Sequence, residues 1–228
     1  MPGGGATARD PDPARVWSPA QVVVFLEHVA GQRLGLLYRI VLLRGLRRGE
    51  ALGLKYGDLA RDPHRAPIRQ AILQVAGKIV WDTPKTRSGV RVASLDSRCA
   101  GLVPSHLTML KREWLAAGKA YQDHGLMFCR EDGTPYTPDA VSKDFQKQAA
   151  AAGLPVIRLH EGRHTAATLG LEGGIDIKVV SDQLGHSTTR ITQDLYTHVR
   201  QALHDEAAET VLKHLSGGES SSSAGTRS

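Results

Sequence analysis

The sequence predicts an α+β fold, mostly helical, with a small three-stranded antiparallel sheet. Apolar residues recur at helical spacing along most of the chain, between recognisable start and stop signals. One stretch, Ile68 to Leu95, is instead rich in β-formers and broken by turn residues. The chain has 228 residues, enough for one good-sized core with tails at either end.

Taken in order, Met1 to Val16 is rich in Gly, Ala, Pro and Asp with no periodic apolar pattern, and reads as a disordered lead. Order is expected from Trp17. Ser18 is a good N-cap, Pro19 suits the first helical position and Gln21 completes a capping box, with Trp17 placed to pack onto Val22. Val22, Phe25, Leu26 and Val29 give that helix its apolar face. Leu34, Leu37, Tyr38, Val41 and Leu42 form a second, ending near Gly45. The strands are expected from Ile68 onward, with Ala76-Gly77 as one turn, Thr83 to Gly89 as another and V-R-V-A-S-L as the last strand. Helices resume around Ser105 to Ala117. G-L-M-F-C-R-E-D-G reads as a short strand and turn, Thr137-Pro138 starts another helix and Gly153 ends it. Leu203, Ala207, Val211 and Leu215 form the stripe of a final helix. Residues 17–215 therefore read as one domain, and Ser216 to Ser228 as a polar low-complexity tail.

Composition narrows the function. The formal net charge is +6 and the pI about 9.5, a balance that fits a polyanionic partner. Aromatic residues are only 5% of the chain, which argues for contacts to a duplex backbone over stacking on single-stranded bases. Cys99 and Cys129 make neither a disulfide framework nor a thiolate metal site, and read as reduced thiols. No run approaches the ~20 apolar residues of a membrane helix, and the N-terminus has no apolar signal core, so a cytoplasmic protein without membrane contact is expected.

The chemistry-bearing residues concentrate between Ile157 and Arg200. His160 and Arg163 lie one helical turn apart and share a face. His186 follows a leucine-glycine helix end, and Tyr196 comes ten residues later. Arg binds phosphate oxygens bidentately, His can donate to or accept from the same group, and a Tyr hydroxyl is a nucleophile once its anion is made accessible. Together they suggest attack on a phosphodiester.

The stretch resembles the C-terminal box of the tyrosine recombinases, the phage integrase family. H-E-G-R-H-T from His160, L-G-H-S from Leu184 and Y-T-H from Tyr196 follow the family's order, with Gly162 where Leu is usual. G-L-R-R-G-E-A-L-G-L-K-Y-G-D-L from Gly45 resembles the family's first box, with Arg44 in place of Thr and Tyr56 in place of Trp. The resemblance implies six catalytic residues: Arg47, Lys85, His160, Arg163, His186 and Tyr196. Arg47 and Arg163 would clamp the phosphate oxygens, with His186 as a further donor. His160 would take the Tyr196 proton, and Lys85, in the turn between the second and third strands, would protonate the leaving 5′-oxygen. Glu50 is expected to orient one of these groups and His164 to support its helix by packing. Arg87 is a candidate DNA contact.

The implied reaction is cleavage and rejoining of double-stranded DNA through a 3′-phosphotyrosyl intermediate, without cofactor or metal. It also implies a homo-oligomer, a tetramer on DNA, and an N-terminal DNA-binding domain that is separate from or missing in this chain. Two other readings compete. Residues 165–184 also read as a helix-turn-helix, which would suit a non-catalytic DNA-binding module. His160 to His164 spells H-E-G-R-H, the H-E-x-x-H pattern of zinc metalloproteases with Glu161 as base.

Overall fold

The computed structural model describes residues 16–83 and 91–185, together with positions 189, 190, 192, 193 and 197. The expected lead short of Val16, the final helix and the polar tail lie outside the described residues.

Helix α1 (Pro19–His28) begins as the sequence predicts. The Ser18 hydroxyl accepts from the Gln21 backbone N–H at 3.3 Å, and the Gln21 side chain accepts from the Ser18 N–H at 2.9 Å. Trp17 is buried, its ring 4.9 Å from Phe25 and 5.4 Å from Phe145. Helix α2 (Gly35–Arg44) is buried on nearly every side, through Leu36, Leu37, Tyr38, Ile40, Val41 and Leu42, and so runs through the centre of the domain. It stops at Gly45, whose φ of +64° is the left-handed conformation that glycine adopts freely. Two short helices follow, α3 (Arg48–Leu52) and α4 (Tyr56–Arg61).

The strands are β1 (Arg65–Ile68), β2 (Ala71–Val75), β3 (Lys78–Asp82) and β4 (Arg91–Ser94). The β2–β3 hairpin turns at Ala76-Gly77 as expected, with Val75 opposite Lys78 and Ala71 opposite Asp82. Among the described residues, however, the single three-stranded sheet is corrected to two separate antiparallel pairs. β4 pairs with β1, from Arg65 opposite Ser94 to Ile68 opposite Arg91, and not with β3. β1 escapes a reading of the sequence because it is four residues long and contains Pro67, which lacks a ladder donor and normally argues against a strand.

Helix α5 (Ser97–Ala117) starts eight residues earlier than Ser105. Pro104 suggests a boundary, yet the helix runs through it, because Cys99, Ala100 and Val103 are buried and Asp96 caps the N–H groups of Arg98 and Cys99 at 3.1 and 3.0 Å. Between α5 and the next helix, residues 126–129 are buried and make isolated bridges, Lys55 with Leu126 and Cys129 with Pro135, where a short strand is expected. Helix α6 (Pro138–Ala151) is capped by Thr137, as predicted.

Helices α7 (Leu159–Glu172) and α8 (Ile177–Leu184) complete the described fold. α7 packs lengthwise on α2, and Gly162 makes the approach close. A Cβ at that position would stand 3.1 Å from Leu42 Cδ2 and 3.7 Å from Val41 Cγ1. Glycine therefore stands here because the neighbouring helix takes the space. α8 packs on α7 through Ala167, Val180 and Leu184 and ends at Gly185, φ +70°. Cys99 and Cys129 are free, buried thiols. Among the described residues, no helix is long and apolar enough to cross a membrane.

Candidate active site

Four elements meet where α2 ends. Arg47 occupies the N-cap of α3, and its backbone N–H donates to Glu50 Oε2 at 2.8 Å. Its guanidinium folds back onto Glu50 Oε1 at 2.9 Å, and Nη2 reaches the Gly185 carbonyl at 3.3 Å. The Arg47 side chain is still 50% exposed, so it faces solvent as well as Glu50, whose carboxylate is buried. A carboxylate three residues into a helix that accepts the cap N–H is favoured by the helix dipole too.

The second cation on Glu50 is Arg91, the first residue of β4. It donates to Oε1 and Oε2 in a fork, both bonds at 2.8 Å, and Nη2 also donates to the Leu184 carbonyl at 3.2 Å. Burial pushes the Glu50 carboxyl upward. The hydrogen bonds and charge of Arg91, and then those of Arg47, outweigh it and hold the group below the usual carboxylate range. The sequence reading misses Arg91. Its signal is strand alternation: Arg91 shares a face with Ala93 and Leu95, which are buried, and an inward-facing charge requires a partner.

Arg163 comes from the first half of α7 and is 3% exposed. Nη1 donates to the Gly45 carbonyl at 2.6 Å. Nη2 is equally buried and has no acceptor among the described residues. Burial, followed by repulsion from Arg47, lowers this guanidinium to about 10, with Glu50 opposing and Arg91 adding to the fall. Arg163 is thus a charged donor at neutral pH in a place that disfavours its charge. Gly45 supplies the carbonyl and also the clearance: a Cβ there would lie 2.2 Å from Leu184 Cδ2.

His160 lies one turn before Arg163 and remains solvent-exposed. Its ring is 4.9 Å from that of the half-buried His164, edge to face. Surrounding protein and the cations Arg163 and Arg158 lower its pKa, which keeps the imidazole neutral at pH 7. Arg47, Glu50, His160, Arg163 and His164 are therefore gathered by the ends of α2, α3, α7 and α8. Lys85 and Arg87, between β3 and β4, lie outside the described residues. So do His186, which follows the end of α8, and Tyr196.

Side chains that carry two adjacent guanidinium groups, a neutral imidazole and an aligned carboxylate suit an anion with several oxygens. The zinc reading fails on the same geometry. The Glu161 carboxylate accepts from the backbone N–H of Arg158 and pairs with its guanidinium at 3.2 Å, so it caps α7 and is not turned toward the two histidines. Among the described residues, no three His, Cys, Asp or Glu side chains group as metal ligands.

A model of the phage integrase family matches residues 18–202. The chain belongs to the phage integrase family. A relative called tyrosine recombinase XerC-like, from Caldanaerobacter subterraneus subsp. tengcongensis, is 31% identical over 207 residues, covering 86% of this chain and 53% of the relative. The chain spans about half the length of the curated integrases and recombinases that it matches. Among solved structures, the Tn1549 transposon integrase bound to transposon right end DNA superposes with a TM-score of 0.68 at 24% identity, over 87% of this chain and 68% of that one. The XerA recombinase does so at 0.64 and 18% identity, over 90% and 66%. At these identities the structures establish a phage integrase fold. Membership in the family also removes the protease reading.

Proposed function

We propose that this chain is the strand-cleaving and rejoining domain of a site-specific DNA recombinase. The observation that carries the reading is the pair of guanidinium groups, Arg47 and Arg163, gathered with His160, and a buried Arg163 donor that has no acceptor among the described residues. Relatives named as integrases and recombinases, and a structural neighbour solved on DNA, support duplex DNA as the partner.

In this reading the Tyr196 hydroxyl attacks a backbone phosphorus. The Oη–P bond forms as the P–O5′ bond breaks, leaving a 3′-phosphotyrosyl ester and a 5′-hydroxyl. His160 accepts the phenolic proton and Lys85 gives one to the leaving 5′-oxygen. Attack by a 5′-hydroxyl on the ester reverses the step and rejoins DNA. A phenol of pKa ~10 must here approach a phosphate that is already anionic. Arg47 and Arg163 answer that difficulty by facing the non-bridging oxygens, where charge gathers in the transition state. His186 adds a donor, and Glu50 holds Arg47. Arg87 contacts DNA near the hairpin, and His164 packs behind His160. The cations supply the charge stabilisation that a divalent ion would bring, so the reaction proceeds without one. Exchange between two sites calls for a tetramer on DNA, and the work is done at the chromosome, in the cytoplasm.

The test is relaxation of supercoiled plasmid in excess chelator by wild type and by Tyr196→Phe, with products examined for protein held on a 3′ end. Relaxation and adduct are expected from wild type alone. Activity in both would mean that another group is the nucleophile, and loss of wild-type activity on chelation would sink the metal-free step.

A further inference from the structure

Arg91 joins several of the site's supports. It forks onto both oxygens of Glu50, the carboxylate that also holds Arg47, and it donates to the Leu184 carbonyl at the end of α8. Its guanidinium also lies flat against Gly185. A Cβ built on Gly185 would meet Arg91 Cζ and Nε at 2.8 Å, so the glycine that the φ of +70° favours also leaves the guanidinium its present place. The last carbonyls of a helix have no partner within it and carry the negative end of its dipole. Arg47 and Arg91 supply charged donors to two of them, on Gly185 and Leu184.

We propose that Arg91 is a positioning residue, one that sets the Arg47–Glu50 pair and the end of α8 as a single unit. Three elements distant in sequence, α3, β4 and α8, are tied at one guanidinium. Without it, Glu50 is left with Arg47 alone, which draws that arginine onto the carboxylate and away from solvent. The end of α8, which leads directly into His186 in the sequence, loses its anchor at the same time. A lysine keeps the charge and cannot reproduce the fork and the carbonyl contact together.

The catalytic half of this proposal rests on the strand-cleavage reading; the anchoring half does not. The experiment therefore has two arms, both on the full 228-residue chain. The first is amide hydrogen exchange of peptides covering α8 and, as a control, α1, in wild type, Arg91→Lys and Arg91→Ala. Losing a hydrogen bond to a charged group should raise exchange near Leu184 and Gly185 by about tenfold in Arg91→Ala, and less in Arg91→Lys, with α1 unchanged. The second is covalent adduct formation on plasmid DNA alongside duplex affinity. Arg91→Ala should slow adduct formation by roughly ten- to a hundredfold with affinity within about twofold. Guanidinium chloride should restore part of the rate where equal sodium chloride does not.

Exchange at α8 equal to wild type, or raised equally in α1, would overturn the anchoring. A wild-type adduct rate in a folded Arg91→Ala chain would overturn the positioning. Wild type without any adduct would instead refute the cleavage reading, and the exchange arm would still decide whether Arg91 holds the end of α8.

Discussion

At the scale of the residue, the decisive quantity is which proton each group carries. His160 sits near two arginines, and its folded pKa falls below the ordinary 6.5, chiefly through partial desolvation of a ring that still reaches solvent and through the Arg163 charge. A base must be neutral to accept a proton, so adduct formation under single-turnover conditions is expected to have reached its plateau by neutral pH. It should decline about tenfold per unit once the pH passes below the depressed pKa. His160→Ala should lower the plateau by roughly 10²–10⁴ and remove that limb. A limb that survives in the variant would assign the base elsewhere. The sign for stability follows from the same shift. The unfolded chain binds this proton more readily, so the fold loses stability as the pH falls from 6.5 toward the lower folded value. Glu50 acts in the same direction at lower pH: its contribution is complete above 4.5 and is lost as the pH falls through its depressed value.

At the scale of the element, close helix contact explains what a residue-by-residue comparison with the family leaves open. Leu is usual in the family where this chain has Gly162. Here Leu42 and Val41 of α2 already fill that space. Gly162→Leu should destabilise the domain by about 1–3 kcal/mol through overpacking, read as a fall in the denaturant midpoint with an unchanged slope. A neutral or stabilising outcome would mean that α2 and α7 separate without cost. The devices legible in the sequence were local ones. Ser18 with Gln21, Thr137 before Pro138, and glycines at the ends of α2 and α8 each act within a turn or two of themselves. What escaped was made by contacts far apart in the chain. β4 finds β1 across a Pro-containing strand, α5 continues through Pro104 because its first turns are buried, and Arg91 meets Glu50 forty-one positions away. Of the candidate site, Arg47, Glu50, His160, Arg163 and His164 were named from motifs, and the structure adds the carboxylate fork and the carbonyls that hold them.

At the scale of the whole molecule, the proposed duplex partner, a net charge of +6 and a half-exposed Arg47 together predict that binding is an ion-exchange process. Affinity for duplex DNA should fall on the order of a hundredfold or more between 50 and 200 mM salt, and Arg47→Ala should reduce the log–log slope by about one. Titration of labelled duplex across that range checks both, and a flat response would exclude a backbone-led interface. The burial of Trp17 has an optical consequence. Its indole N–H is held by the Pro155 carbonyl at 2.9 Å, and its backbone N–H donates to Thr165 of α7 at 3.2 Å, whereas Trp81 and Trp114 are 39% and 51% exposed. Its emission should therefore be blue-shifted and shielded from iodide, while the other two are quenched. Trp81, on the hairpin, lies against Lys55 from the start of α4 and His124 from the segment between α5 and α6. Single-tryptophan chains would thus separate two signals in one cuvette, the melting of the core from Trp17 and, on the proposed DNA-binding reading, a change at the hairpin from Trp81 when duplex is added.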